Sequence, residues 1–408
     1  MSLFNRFRTG IKNNKAGFFI NNSARVLRDY LRYLSNRNKV RLFSGKNIKI
    51  IDRNNKSSDF FGYYDISPFN PRDNNIILFH SVNRPSFGKY DAEHACQICT
   101  YNQKTRERKI WGVTKAWNWQ QGARLGWVDD KSFIYNLYTH DQYKACIIDT
   151  STGSAKLLKQ PVMAWYQSEY YCSIDYKNLY QHNRDYGYNA HPLNSPVDKS
   201  LSINTFSDKN IFTLHAKQAL SNAIGEFTDE MYRTSFFNHP IFSPDGSKMI
   251  FLFRYFKDNQ KVHNLLLWDK DSNTYSQIFN ELVSHYTWLS NTELLYWGEN
   301  QDNDKGYHIL NVITSEIKTV STNLPDGHPS IINESSFITD SYNNDSSGRS
   351  ISIIGLSSNK QLLYKISEFP TWSYLTRCDP HPSVSKDGEK VQIDLLLDRY
   401  RKVGIFEL

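Results

Sequence analysis

The 408-residue sequence lacks the features that mark membrane-spanning and secreted chains. No apolar run approaches the roughly 18 residues needed to cross a bilayer, and the first residues have neither the apolar core nor the small-residue cleavage site of a secretory signal. There is also no Gly-x-Ser-x-Gly element, which argues against a serine hydrolase. We therefore expect a cytoplasmic protein.

Cysteine is scarce, and its placement is irregular. An odd and scattered set is typical of reduced thiols rather than of a disulfide framework. Cys96 and Cys99 form a C-x-x-C pair, but no second pair follows, so we interpret them as two residues of one strand rather than as a metal or redox site. The five cysteines are Cys96, Cys99, Cys146, Cys172 and Cys378.

Acidic residues are nearly absent from residues 1–46. This arm contains eleven Lys or Arg against Asp29 alone, so its charge is +10 in a chain whose net charge is +8, which leaves −2 for the remainder. Between residues 18 and 34, apolar residues recur at spacings of three, four and seven, which predicts an amphipathic helix. Its opposite face carries Arg25, Arg28 and Arg32.

Two interpretations of this arm remain open. A basic amphipathic helix can lie on the anionic inner leaflet of a membrane, which would make the protein peripheral to the inner membrane. The same helix can instead pack against the rest of the chain with its basic face in solvent. No base-reading module accompanies the charges, so no nucleic-acid partner is expected.

The rest of the chain is aromatic-rich and repeats one plan. Aromatic residues make up 14% of the sequence, and the mean hydropathy is −0.60, as in a soluble, strand-rich protein. Seven times, a polar residue, a turn of Ser, Pro, Asp, Asn or Gly, and an apolar strand follow one another, with turn centres 43 to 70 residues apart. We place the third copy at residues 173–176, with its strand at 179–182.

This spacing predicts an all-β fold, a seven-bladed β-propeller over residues 47–408. The last blade has room for only three strands before Leu408, while residues 47–51 supply an apolar strand ahead of the first blade. We expect these two ends to pair and close the ring.

Histidine begins four successive repeats. In a propeller, the start of each innermost strand and the loop between the second and third strands share one face. Imidazoles converging there can bind a divalent metal such as Mn²⁺ or Zn²⁺, or divide into base and acid. Alternatively, each hydrogen-bonds the backbone within its own blade. Asp326, Asp340 and Asp379 are close enough in sequence to orient a ligating imidazole. The four are His239, His285, His328 and His381.

Basic and aromatic residues are predicted on the same face. Arginine guanidinium groups pair with carboxylates, and aromatic rings stack on sugar rings. This mixture therefore favours an acidic glycan as partner. The alternative is that most of the rings pack between sheets. Besides Tyr64, Arg254 and Arg377 as catalytic candidates, the predicted substrate-binding residues are Asp65, Gln121, Arg184, Tyr186 and Tyr188.

Three motifs carry a resemblance to a known family. His-Pro-x-Phe-Ser-Pro-Asp-Gly at 239–246, Asp-Gly-His-Pro-Ser at 326–330 and Arg-Cys-Asp-Pro-His-Pro at 377–382 resemble the cytoplasmic oligogalacturonate lyases and the wider Tol-Pal-type propeller repeats. That likeness implies a Mn²⁺ ion, held by histidines and a glutamine, that neutralises a uronate carboxylate while a base removes the adjacent ring proton. Asp379 and His381 have no neighbouring Gln here.

A second resemblance concerns context. Segments 61–65, 116–122 and 377–381 look like an uncharacterised group of bacterial propellers associated with surface-polysaccharide gene sets. This likeness implies an acidic surface polysaccharide, or its precursor, as the ligand.

Three functions remain open from sequence. The first is a carbohydrate-active lyase, with a metal, Arg254 or Arg377 as the cation, His239 or His381 as the base, and Tyr64 or Tyr188 as the acid. The second is a non-catalytic glycan-binding or scaffold propeller of a membrane-associated biosynthesis complex. A glycosyltransferase ranks third, because the sequence has no phosphate-cradling Gly-rich loop.

Overall fold

Seven antiparallel sheets follow one another along the chain. The computed structural model describes residues 40–42, 47–51, 56–86, 94–192, 195–342, 349–357, 360–366, 374–397 and 399–408. Six sheets have four strands and one has five, so the predicted seven-bladed β-propeller is confirmed. The amphipathic helix predicted at 18–34 lies outside the described residues. Within them, no helix is long and apolar enough to cross a membrane.

The first four blades each contain four strands in sequential order from the channel outwards. Two short strands, β1 (Val40–Leu42) and β2 (Lys49–Ile50), precede them in the chain. The strands of these blades are β3 (Ser58–Phe60), β4 (Ile76–Val82), β5 (Cys96–Asn102) and β6 (Glu107–Thr114); β7 (Gly126–Trp127), β8 (Ser132–Thr139), β9 (Gln142–Asp149) and β10 (Ala155–Leu157); β11 (Ala164–Tyr166), β12 (Tyr170–Ile174), β13 (Ser200–Thr205) and β14 (Asn210–His215); β15 (Phe236–Phe242), β16 (Lys248–Lys257), β17 (Gln260–Asp269) and β18 (Thr274–Phe279).

The last three blades complete the ring. Their strands are β19 (Val283–Trp288), β20 (Glu293–Glu299), β21 (Lys305–Asn311) and β22 (Ile317–Ser321); β23 (Ser330–Asn333), β24 (Ser336–Tyr342), β25 (Arg349–Gly355) and β26 (Lys360–Ile366); β27 (Ser383–Val384), β28 (Lys390–Leu397) and β29 (Tyr400–Glu407). Innermost strands of neighbouring blades contact each other, as β19 does with β23 and β23 with β27.

Both early strands join blades from the end of the chain. In β2, Lys49 pairs with Ile405 and Ile50 with Gly404 of β29, so the seventh blade contains strands from both ends of the described propeller. In β1, Val40 pairs with Ile366 at the outer edge of blade six. Residues 40–42 were placed in the arm from sequence, yet they form the fifth strand of that sheet.

Blade three differs from its sequence-based placement. The predicted strand at 179–182 belongs to a helix, α1 (Tyr176–His182), and the predicted turn at 173–176 overlaps the end of β12. Asp175 is the N-cap, because its side chain accepts the Lys177 N–H, and the helix buries Tyr176 and Leu179. The inner turn of this blade is therefore at 167–169. Two more helices, α2 (Ala216–Ile224) and α3 (Asp229–Thr234), precede blade four.

The repeated Ser-x-Asp-Gly turns are built alike in blades four and seven. Ser243 Oγ lies 2.7 Å from Asp245 Oδ1 and accepts the Lys248 N–H, and Gly246 has φ +71°. In blade seven, Ser385 makes the equivalent contacts with Asp387 and the Lys390 N–H. This turn closes the first hairpin of each blade and orients its innermost strand along the channel.

Candidate functional site

Two tyrosines occupy the centre of the histidine ring. The Tyr63 ring centroid lies 5.0 Å from that of His239 and 5.1 Å from that of His381. The Tyr64 centroid lies 5.3 Å from that of His328 and 6.0 Å from that of His285. All four predicted histidines are buried around this pair.

A break in blade one places the tyrosines there. Strand β3 ends at Phe60, and the chain pairs again only at Phe69, opposite Ile77. Between these points, the carboxylate of Asp394 accepts the N–H groups of Phe61 (2.9 Å) and Gly62 (3.0 Å), and Gly62 has φ +116°. The strand therefore leaves its sheet and directs the next two side chains into the channel.

His239 and His381 have backbones in the left-handed region. Their φ angles are +58° and +44°, and each histidine precedes a proline. At His239 the pairing of β15 with β16 is irregular, because the register shifts between Asn238 and Ile241. Non-glycine residues rarely adopt this conformation, and where they do it is often at functional sites.

Carboxylates orient two of the imidazoles. His285 Nδ1 lies 2.9 Å from Asp326 Oδ1, and His328 Nδ1 lies 2.8 Å from Asp340 Oδ1. The other oxygen of Asp340 accepts the backbone N–H of His381 at 3.1 Å. An imidazole that donates from Nδ1 to a carboxylate presents an unprotonated Nε2, the arrangement common among metal-binding histidines. Asp326 and Asp340 thus have the predicted orienting geometry.

A possible metal-ligand group lies between blades six and seven. His328, Asp379 and His381 each offer a ligand atom within 4.8 Å of the others. Neither ring nitrogen of His381 has a hydrogen-bond partner among the described residues. The carboxylate of Asp379 already accepts hydrogen bonds from Arg349 Nη2 (2.6 Å) and Arg377 Nε (2.8 Å).

Three of the four imidazoles, those of His239, His328 and His381, are held in their neutral form. Burial lowers the pKa of His239, His328 and His381 well below the ordinary value, and in each case a neighbouring histidine lowers it further. Burial raises the pKa of Asp340. Burial also opposes ionisation of Asp379, yet Arg377 and Arg349 hold its pKa well below the usual range. Neutral imidazoles are suited to binding metal or accepting a proton.

Hydrogen bonds fix the tautomer of His239. The Tyr64 hydroxyl donates to the Tyr286 carbonyl oxygen (2.9 Å) and accepts the Tyr286 N–H (3.0 Å). Because the Tyr64 hydroxyl proton is already donated to that carbonyl oxygen, the hydroxyl accepts a hydrogen bond from His239 Nε2 at 3.2 Å. The Nδ1 of His239 therefore remains its basic nitrogen. Burial raises the pKa of Tyr64 well above its usual range. Tyr64, predicted as an acid, instead orients His239.

A cavity of about 340 Å³ opens over this cluster. It brings together the predicted residues His239, His285, Arg254, Arg377 and Tyr186, and adds Tyr63, Lys261 and His263. Arg377 is held in place because Nη1 pairs with Asp185 (2.8 Å) while Nε pairs with Asp379. Arg254, Lys261 and the paired Arg377 line its wall beside one carboxylate, that of Asp326, so cations outnumber acids there and suit an anionic ligand.

Two other predicted substrate-binding residues lie in different positions. Gln121 is buried against Gly62, and neither its amide nitrogen nor its amide oxygen has a partner within the described chain. Arg184 is exposed and lies over the Tyr180 ring, 5.9 Å from its centroid. It does not line the cavity over the histidines.

Tyr188 and Asp65 have structural environments. Tyr188 is fully buried, stacks on Tyr176 with 3.9 Å between ring centroids, and accepts from Asn136 Nδ2 at 3.0 Å. The predicted contact of Tyr188 with substrate is therefore replaced by packing beside α1. Asp65 pairs with both terminal nitrogens of Arg124, at 3.0 and 2.8 Å, and lines a separate cavity with Trp127. Both its oxygens are used in the pair.

Sequence reasoning did not single out Tyr63, Lys261 or His263. Lys261 and His263 lie near the start of β17, just after the loop between the second and third strands of blade four. Their position just after that loop is the sequence feature from which Lys261 and His263 could have been predicted. The position of Tyr63 in the channel depends on the departure of the chain from β3. Gly62 is the one neighbouring residue that indicates this departure in the sequence.

Comparisons with known proteins support the fold. No family model matches the sequence, and no curated protein matches it. Among solved structures, the chain is similar to an oligogalacturonate lyase in complex with manganese, with a TM-score of 0.61, 12% identity, and coverage of 90% of this chain and 94% of that one. An oligogalacturonate lyase from Vibrio parahaemolyticus gives a TM-score of 0.58 at 14% identity, with coverage of 90% of this chain and 98% of that one.

A protease propeller shows the same architecture. The β-propeller domain of the Trilobed protease from Pyrococcus furiosus gives a TM-score of 0.50 at 11% identity, covering 85% of this chain and 94% of that domain. Structural similarity at identities this low shows a common fold and not a common activity. The protein is thus a seven-bladed β-propeller similar in fold to the oligogalacturonate lyases.

Proposed function

We propose that the protein cleaves a uronate-containing oligosaccharide by β-elimination, with a divalent metal such as Mn²⁺ held beside the central tyrosines. One observation carries the proposal: buried imidazoles, two of them oriented by carboxylates, lie under a cavity whose wall holds Arg254, Arg377 and Lys261. Neutral imidazoles supply metal ligands and a base, and the cations suit an acidic sugar.

The donor set fits a divalent ion. His381 is buried, and neither of its ring nitrogens has a hydrogen-bond partner within the described ranges. His328 is oriented through Nδ1 by Asp340, so its unprotonated Nε2 can coordinate a metal. These two imidazoles with Asp379 would hold the ion. The two arginines on Asp379 weaken that carboxylate as a ligand, so the histidines are the primary donors. Bound there, a metal supplies Lewis-acid neutralisation of the uronate carboxylate.

Residues of the chain would supply the base, the acid and the contacts that hold the substrate. His239 Nδ1 takes the proton on the ring carbon next to the carboxylate, the carbon–oxygen bond one carbon away breaks, and a double bond forms between these two carbons. The departing oxygen takes a proton from Tyr186, which lines the cavity and whose pKa burial raises. Arg254 and Arg377 hold the anionic substrate in the cavity.

The test combines metal analysis with product absorbance. Purified protein is analysed for bound metal by mass spectrometry and is then incubated with trigalacturonate and Mn²⁺, while the ultraviolet absorbance of the unsaturated uronate is followed. We expect His381→Ala to lose metal and activity together, and His239→Ala to lose activity while keeping metal. His215→Ala, at an exposed position, is the control. No metal binding by the wild type and no absorbance change with any uronate oligomer would overturn the proposal.

A binding role without turnover is the second candidate. His328 and His381 are 0% and 1% exposed, and Tyr63 and Tyr64 pack against them, so substrate access to this pair is limited. A glycan-binding propeller predicts trigalacturonate binding that survives His381→Ala with no product formed. The wild type separates the two candidates, because a lyase forms the unsaturated product from trigalacturonate and a binding protein does not.

We also propose that residues 1–39 bring the propeller to an anionic membrane, where precursors of surface polysaccharide would be met. The charge of +10 on residues 1–46 supports this. Cosedimentation with vesicles containing anionic lipid is expected for the full chain and not for a chain that begins at Val40, which keeps the β1 pairing. Equal cosedimentation of both would contradict the proposal.

A further inference from the structure

The first described strand enters the propeller at the face that carries the histidine cavity. In blade four, the cavity residues Lys261 and His263 lie near the start of the third strand, β17. In blade six, the third strand β25 begins at Arg349, whose Nη2 donates to Asp379 of the possible metal-ligand group at 2.6 Å. Because equivalent strands of all blades run in the same direction, the Arg349 end of β25 faces the same mouth as Lys261.

Strand pairing places Val40 in line with Arg349. Arg349 pairs with Ile366 of β26, and Ile366 in turn pairs with Val40 of β1. Neighbouring strands lie about 4.8 Å apart, so the backbone of Val40 is about 10 Å from that of Arg349. From Val40, β1 runs away from the cavity face towards Leu42, which pairs with Tyr364. The chain that precedes Val40 therefore enters the propeller at the rim of the cavity face.

Chain length limits where residues 1–39 can act. They contain nine Lys or Arg against one acid, Asp29, which is a net charge of +8. Between the amphipathic helix predicted at 18–34 and Val40 there are five residues, which span at most about 18 Å. A seven-residue strand such as β25 is about 23 Å long, so this tether is too short to reach the opposite face of the propeller. Whatever the helix binds is thus held on the side of the cavity.

The described parts of blades six and seven offer this helix no large exposed apolar side chain. Within the described chain, those that are exposed are Ile110 and Val113 in blade one, Leu157 in blade two, Ile224 in α2, and Ile313 in blade five. The cavity is no better a partner, because Arg254 and Lys261 in its wall repel a segment of charge +8. An anionic bilayer supplies both the apolar phase and the negative charge that a basic amphipathic helix requires.

We propose that the cavity face is the surface that the protein turns towards an anionic membrane, and that the site takes an acidic glycan presented there as a lipid-linked chain. The inference rests on the proposed function and on the proposed membrane binding of residues 1–39, and it adds the orientation of the propeller and the form of the substrate. A glycan anchored in the same bilayer meets the cavity at a high effective concentration, which a free oligosaccharide lacks.

Fluorescent labels at the two ends of one strand test the orientation. Strand β21 of blade five lies between the exposed Gln301, in the loop on the cavity face, and Ile313, in the loop on the opposite face. All five native cysteines are buried, so a thiol-reactive fluorophore will label Gln301→Cys or Ile313→Cys selectively. Each labelled protein is bound to vesicles of phosphatidylglycerol and phosphatidylcholine that include a lipid with a nitroxide quencher on its headgroup.

We expect strong quenching of the label in Gln301→Cys and little quenching of the label in Ile313→Cys, because the nitroxide acts only at short range. A chain that begins at Val40 should show quenching at neither position, since it lacks the basic arm. Equal quenching of the two labels, or stronger quenching in Ile313→Cys, would overturn the orientation while leaving membrane binding intact. A full chain that does not cosediment with the vesicles would overturn membrane binding and orientation together.

Turnover of a tethered substrate tests the form in which the glycan is taken. Trigalacturonate coupled to a phospholipid through its reducing end is placed in the same vesicles and compared with free trigalacturonate, and the unsaturated product is measured by chromatography. We expect the full chain to cleave the tethered substrate about tenfold faster, and the chain that begins at Val40 to lose this advantage. Equal rates with the two substrates would overturn the preference for a lipid-linked glycan. Cleavage of neither would contradict the lyase itself, and the quenching result would then still decide the orientation.

Discussion

The carboxylate of Asp340 accepts hydrogen bonds from both the backbone N–H and Nδ1 of His328, each at 2.8 Å to Oδ1. Its second oxygen reaches the N–H of His381 in the next blade. One side chain thus sets the position of two imidazoles from different sheets. Because the group is buried, its replacement affects both histidines at once.

Asp340→Asn should weaken metal binding ten- to a hundredfold, since an amide cannot accept from the imidazole, the backbone N–H of His328 and that of His381 together. The measurement is Mn²⁺ titration of metal-free protein. Asp271→Asn, at an exposed position, serves as the control. If Asp340→Asn and the wild type bind Mn²⁺ equally, His328 is not a ligand oriented through Nδ1.

How far the sequence predicts this arrangement depends on the distance along the chain. His328 and Asp340 are twelve residues apart, within one repeat, so histidine periodicity and nearby acids were enough to relate them. Asp394 and Gly62 are 332 residues apart, and no local pattern links them. Tyr188 was misplaced because α1 and the following loop are inserted into blade three, which breaks the repeat on which the prediction relied.

Histidine 80 should make the protein acid-sensitive. His80 Nε2 accepts the Ala123 N–H, and Nδ1 faces the Phe61 carbonyl oxygen, so the native state holds the neutral ring. Burial lowers its pKa from 6.5 to about 4. The unfolded chain therefore takes up a proton that the native chain refuses, and about 3 kcal/mol of stability is lost as the pH falls from 6.5 to 4.

Urea unfolding at several pH values checks this. Between pH 6.5 and 4, His80→Gln should lose about 3 kcal/mol less stability than the wild type does. His140→Gln, exposed, should keep the wild-type slope. Identical slopes for the wild type and His80→Gln would contradict the assignment.

Asp394 should make the protein less stable as the pH rises, which is opposite in sign to the effect of His80. Burial raises its pKa from 3.8 to about 7 although it accepts the N–H groups of Phe61 and Gly62. The native state retains a proton that the unfolded state has released, so about 4 kcal/mol of stability is lost as the pH rises from 4 to 7. Asp394→Asn should flatten this part of the profile in the same urea measurement, while lowering stability overall by about 1–3 kcal/mol because one backbone N–H loses its acceptor. A profile parallel to that of the wild type would show that Asp394 does not titrate there.

The backbone at Gly62 should be intolerant of any side chain. Its φ of +116° is unfavourable for other residues, and an added Cβ would lie 2.9 Å from the carbonyl carbon of Gln121. Gly153 also has a positive φ, +75°, but an added Cβ there meets nothing within 4 Å. Gly153→Ala therefore isolates the conformational cost of about 1 kcal/mol, and Gly62→Ala adds the clash with the neighbouring blade.

We expect Gly62→Ala to lower the unfolding free energy by at least 2 kcal/mol more than Gly153→Ala, since the main chain of Gln121 has to move. The same change should reduce Mn²⁺ affinity, because Tyr63 and Tyr64 follow Gly62 directly and pack against the histidines. Urea unfolding and Mn²⁺ titration of both variants measure the two effects. Equal stability of the variants would mean that the path from Gly62 to Tyr64 is not rigidly held, and the tyrosines would then not be what fixes the centre of the site.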